Sequence, residues 1–254
     1  MSRTVLGSLS RVLLRAPLLL CLASPAWAGP PQVTAADGAS VAVATSGSGE
    51  LGLVVVLPPG GDAAGWEAIR TRLGTLGARV LTVQPRALAA AEGEPGAAQD
   101  VAAAIAWMKG QKTTSVAVLG ALEGGNLALH AAAADPAIAR VVVLSPRLSA
   151  EGLSITKDLA ALGDRPLLLV TSAGDATGSR AAGMIAGKAP GAAPVLTRSA
   201  EGTGAELFAR DPKLDGDVLA WLRGPGADPS KPAGTPATAS DVGTLETTGT
   251  KYGN

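Results

Sequence analysis

Leu122 occupies the position in this chain where a nucleophile would be looked for. It is the middle residue of Gly120-Ala121-Leu122-Glu123-Gly124, between an apolar run at 115–119 and an Ala-rich helical run at 124–134. A serine in such a Gly-x-Ser-x-Gly frame stands exposed at the tip of a sharp strand-to-helix turn, ready to attack a carbonyl carbon. Leucine has no lone pair to donate, so acyl-enzyme chemistry at 122 is closed. Its side chain is expected to fill the space a serine would leave, because burying a leucine is favourable by about 1.5–3 kcal/mol.

Few other side chains offer chemistry. The chain has one histidine, His130. It lies about 12 Å along the helix from Leu122, at ~1.5 Å per residue, so it is expected on a helix surface or in the core and not as a general base. One histidine and one cysteine, Cys21, argue against a zinc or other transition-metal site, and no cofactor is implied. Ser145 and Ser172 fall at the ends of predicted strands, where an open α/β sheet places its ligands, and either could be recruited as a displaced nucleophile.

The elements that must position these residues alternate. Apolar runs at 51–57, 79–83, 115–119, 141–144, 166–171 and 194–197 read as strands, most of them uniformly apolar and so buried on both faces. A hairpin is expected ahead of them, 33–36 and 40–46 flanking Asp37-Gly38. Helices are expected over 63–76, 96–109, 124–134, 179–187 and 213–222, with another ending near 159–163. Trp66, Ile69, Leu73 and Leu76 share one helix face, as do Val101, Ile105 and Met108. The alternation predicts an α/β domain with a mostly parallel sheet covered on both sides.

Composition bounds the rest. Arg3, Arg11 and Arg15, the apolar stretch at 16–23 and Ala26-Trp27-Ala28 predict a secretory signal peptide over 1–28, too short in its apolar part to span a bilayer. The remaining chain has no cysteine, so it is expected to stand in an oxidising compartment on its core alone. Residues 29–223 read as one domain. Residues 224–254, rich in Pro, Thr, Ala and Gly, read as a disordered tail. With 21 basic and 21 acidic residues, 2% aromatics and no basic run, no nucleic-acid partner is expected, and the mature chain shows no membrane span.

Three segments together resemble the α/β-hydrolase superfamily, of the esterase or dienelactone-hydrolase-like kind. They are Val116-Ala117-Val118-Leu119-Gly120-Ala121-Leu122-Glu123-Gly124-Gly125-Asn126 with Val141–Pro146 after it, then Gly163 to Gly174-Asp175, then Ser199-Ala200-Glu201-Gly202-Thr203. They follow the order nucleophile, acid, histidine. The resemblance implies an α/β-hydrolase fold without a large cap domain. It places Leu122 at the nucleophile, Asp175 at the acid and Glu201 where the family carries its histidine. Glutamate is no neutral base near pH 7 unless its pKa is strongly raised. If Asp175 and Glu201 converge, they would share a proton or recruit a cation, with Arg147 as counter-charge or, more weakly, a hard cation on Asp175, Glu201 and Glu123. For the oxyanion hole the resemblance points to backbone N–H groups of Gly60 or Gly61, since proline has none at Pro58 and Pro59, and of Glu123.

The expectation is therefore an exported, periplasmic or secreted, hydrolase-like protein that has lost serine-hydrolase catalysis and binds a small-molecule or protein ligand. Two alternatives stand beside it: an active esterase-type hydrolase with a non-standard nucleophile, and a purely structural envelope protein. An open apolar cleft with Asp175 at its wall favours the first, and a filled pocket over Leu122 favours the last.

Overall fold

The computed structural model describes residues 31–89 and 95–224. The expected signal peptide, with Cys21, and the expected tail beyond Gly224 lie outside the described residues. Among the described residues eight strands form one sheet: β1 (Val33–Thr34), β2 (Ser40–Ser46), β3 (Leu51–Val56), β4 (Ala78–Gln84), β5 (Ser115–Ala121), β6 (Ile138–Leu144), β7 (Leu167–Ser172) and β8 (Val195–Arg198). Their spatial order is β1-β2-β4-β3-β5-β6-β7-β8. The hairpin strands β1 and β2 are antiparallel, and β2 joins β4 antiparallel. From β4 through β8 every pairing is parallel.

The helices among the described residues are α1 (Ala64–Thr75), α2 (Gly96–Lys109), α3 (Glu123–Ala134), α4 (Ile155–Leu162), α5 (Ala176–Lys188), α6 (Ala205–Arg210) and α7 (Leu214–Arg223). They split between the two faces of the sheet because strand side chains alternate. Leu53 and Val55 of β3 join the core beneath α1, α6 and α7, with Trp66, Ile69, Phe208 and Leu219. Val54 and Val56 join the opposite core, with Val101 and Ile105 of α2, Leu127 of α3 and Leu159 of α4. A strand that feeds two cores must be apolar at every position, which is what the run at 51–57 encodes.

Two details depart from the sequence reading. The short helix α6 was not expected, because its six residues, Ala-Glu-Leu-Phe-Ala-Arg, are too few to show a helical period. Leu76 lies past the last turn of α1 and is 45% exposed, so the apolar stripe of that helix stops at Leu73.

The order of strands sets the place for a site. β3 stands between β4 and β5, so the chain leaves β3 for α1 on one face and leaves β5 for α3 on the other. Loops that diverge in this way open a crevice at the carboxyl ends of the strands.

Candidate active site

The turn at 120–125 is a strained elbow held by glycine packing. Leu122 has φ 55° and ψ −128°, a left-handed backbone that costs a non-glycine residue of order 1–3 kcal/mol. Its N–H donates to Leu144 O (2.9 Å), and its carbonyl accepts from Gly125 N–H (3.0 Å). The glycines around it allow no side chain. A Cβ at Gly120 would stand 2.2 Å from Gly124 O, and one at Gly124 would stand 2.6 Å from the carbonyl oxygens of both Val56 and Leu57. Helix α3 can therefore sit on β3 only because these positions are glycine.

The elbow lifts Leu122 above the strand ends, but its side chain does not fill the space there. It is half-buried and forms part of the wall of an open groove of about 480 Å³. The expected filled pocket is thus corrected: the turn projects the leucine outward, and among the described residues no element closes over it. The groove runs from the segment after β3 (Pro58, Asp62, Trp66) to the segment before and within α6 (Thr203, Ala205, Glu206). Trp66 and Phe208 meet edge-to-face at 6.2 Å beneath it, which ties α1 to α6. Asp175 is not among its lining residues, so the cleft is open without the acid at its wall.

Glu201 lies beside Gly174, the neighbour of Asp175, but the two acids differ in burial and partners. Asp175 is buried, 7% exposed, and its Oδ1 accepts from Gly178 N–H at 2.8 Å, capping α5. Its Oδ2 makes no hydrogen bond and lies 3.8 Å from Arg147 Nη1. Arg147, suggested as counter-charge to an Asp175–Glu201 pair, thus faces Asp175 alone and is held by its own donation to Ser145 O (3.1 Å). The Glu201 stem lies over Gly174, where a Cβ would stand 3.6 Å from Glu201 Cγ. Its carboxylate, however, is turned outward: the side chain is 80% exposed, with Oε2 3.9 Å from Arg210 Nη1. The expected pair of facing carboxylates is not formed, because a solvated carboxylate beside a guanidinium avoids the cost of a second buried negative charge. The cation on Asp175, Glu201 and Glu123 falls with it: among the described residues no group of three or more His, Cys, Asp or Glu is placed to hold a metal ion.

Both candidate serines are out of reach. Ser145 and Ser172 are fully buried. Ser145 also has a left-handed backbone, φ 47°, and its Oγ accepts from Gly204 N–H (3.3 Å), pinning the start of α6 to the end of β6. Ser172 Oγ makes no hydrogen bond. At the oxyanion position, Pro58 to Gly61 form a tight turn with Gly60 at φ 70°, and Gly61 N–H donates to Pro58 O at 2.9 Å. Gly61 is thereby corrected as a donor to substrate. Glu123 is the first residue of α3, at the helix end whose N–H groups lack intrahelical partners. His130, facing α4, has Nδ1 3.0 Å from Asp158 Oδ1 and is absent from the groove lining.

The loop at 199–204 is anchored from behind. Arg198 at the end of β8 is bonded to Asp211 and lies 2.7 Å from Asp217 Oδ2. The guanidinium holds the Asp211 carboxyl below its usual range. The groove residues Asp62, Gly204 and Glu206 escaped the sequence reading, which reached Thr203 only as the last residue of the third resembling segment. No motif marks them, and they meet only through α6, which was itself invisible.

No protein-family model matches this sequence, and no curated protein does. Solved structures do match. An esterase from Pyrococcus furiosus superposes with a TM-score of 0.63 at 13% identity, over 77% of this chain and 89% of that one. An esterase from Exiguobacterium antarcticum gives 0.57 at 14% identity, over 77% and 100%. An α/β hydrolase from Sphaerobacter thermophilus gives 0.53 at 19% identity, over 73% and 99%. The chain has the α/β-hydrolase fold.

Proposed function

We propose that this protein is a non-catalytic α/β-hydrolase-fold protein that binds a small ligand in the groove above Leu122. The observation that carries this reading is Leu122 itself. It stands on a strained elbow at the carboxyl ends of the strands, in the wall of an open groove, with a hydrocarbon where attack would begin. The lack of an imidazole in the groove lining and the use of Gly61 N–H within its own turn support the same conclusion. The open groove favours binding over a purely structural envelope role. We also propose export, on the strength of Arg3, Arg11, Arg15 and the Ala26-Trp27-Ala28 site.

A second reading, an active carboxylic-ester hydrolase, draws its support from the esterases among the structural relatives. Its one structural foothold is Ser145, whose left-handed backbone resembles the strain stored at reactive turns. It requires a buried serine to reach the groove and an unseen base to activate it.

Hydrolysis of 4-nitrophenyl acetate and butyrate by the purified protein separates the two. The first reading expects rates equal to those of heat-denatured protein. Saturable turnover that Ser145→Ala or Ser172→Ala abolishes would establish the second.

A further inference from the structure

The groove above Leu122 combines carbon surface with one sign of charge. Pro58, Trp66, Leu122 and Ala205 supply apolar wall, and its charged lining residues are Asp62 and Glu206, both acids. Neither lysine nor arginine lines it among the described residues. The two carboxylates belong to segments that approach each other: Asp62 precedes α1 and Glu206 opens α6, and between them a Cβ at Gly65 would stand 3.5 Å from Ala205 Cβ. Asp62 is held in place by the Ala64 N–H, which donates to its Oδ1 at 2.8 Å. The guanidinium that ends α6, Arg210, leans towards Glu201.

We propose that the ligand is a cationic amphiphile, a small alkylammonium whose charge is met by Asp62 and Glu206 and whose chain lies over Leu122 and Trp66. This rests on the binding reading above and narrows it. The volume, about 480 Å³, suits a small molecule. A fatty carboxylate, the product an ester hydrolase releases, would meet two negative charges at this rim and no positive one, and like charges in such a setting repel. A neutral alkyl alcohol would gain only the apolar contact.

Calorimetric titration of octylammonium, octanoate and octanol into the purified protein tests this, with the Asp62→Asn/Glu206→Gln double variant alongside. Two solvent-exposed ion pairs predict a preference for octylammonium over octanoate of about tenfold, weaker at high salt. The double variant should lose that preference and bind octanol unchanged, which also shows that it folds. Octanoate binding as tightly as octylammonium, or an ammonium preference that survives in the double variant, would overturn the proposal while leaving a binding groove. Octylammonium binding that Leu122→Trp leaves untouched would place the ligand elsewhere and overturn it too. No binding by any of the three would overturn the binding reading itself.

Discussion

The elbow at 120–125 and the loop at 199–204 flank the same groove, and they differ in how firmly each is held. The elbow is tightly built: glycines without room for a Cβ, a left-handed residue 122, and a helix that starts at once. The loop keeps its place beside Asp175 but offers a solvated glutamate. The difference lies in what else each segment does. The elbow glycines seat α3 against β3, so any change there is felt by the core whether or not a reaction takes place. Residue 201 touches little: its side chain is exposed, with its stem over Gly174 and its carboxylate beside Arg210. The backbone of the elbow is thus fixed by packing, whereas that of residue 201 is not.

That contrast breaks first at Gly124. Gly124→Ala places a methyl group 2.6 Å from two backbone carbonyls that cannot move aside. It should cost about 3 kcal/mol in urea denaturation, as overpacking does. A change below about 1 kcal/mol would mean the elbow is not held by packing.

The loop side sharpens through pH. Because Arg198 lowers the Asp211 carboxyl pKa in the folded chain, its contribution is present above the ordinary value of 3.8. It is lost as pH falls through the lower folded value. Stability measured from pH 5 down to pH 2 should decline, and Arg198→Met should flatten the part of that decline due to Asp211.

Asp175→Ala should cost about 1 kcal/mol, the worth of a helix N-cap, whereas Asp175→Asn should be close to neutral. Had Asp175 a catalytic partner, the Asn variant would also alter a pH–rate profile, and none is expected here. A small effect is also expected of Leu122→Ser. The leucine is half-buried, so stability should shift by less than about 1 kcal/mol. The new serine should remain unable to hydrolyse esters, because no imidazole lines the groove.

Much of this was written plainly in the sequence. The uniform apolar runs gave the parallel strands, and helix 96–109 agrees with α2 at both ends, since α2 carries a long period closed by Gly110. The sharp turn was legible from Gly120 and Gly124 between an apolar run and a helical one, and Arg147, suggested as counter-charge to a pair of acids, lies near Asp175 alone. The groove was not. Its walls come from three segments far apart in the chain, and whether Leu122 fills or lines it depends on the seating of a six-residue helix. The direction of the Glu201 carboxylate was hidden for a similar reason: it follows Arg210, nine residues on, across a turn with no sequence signature.

The most direct test of a silent elbow is covalent. The purified protein is incubated with a fluorophosphonate and its intact mass measured, beside an active serine esterase that labels stoichiometrically. The account predicts an unmodified mass. A stoichiometric adduct, mapped by peptide sequencing to Ser145, Ser172 or any other serine, would contradict it by showing an activated nucleophile in this fold.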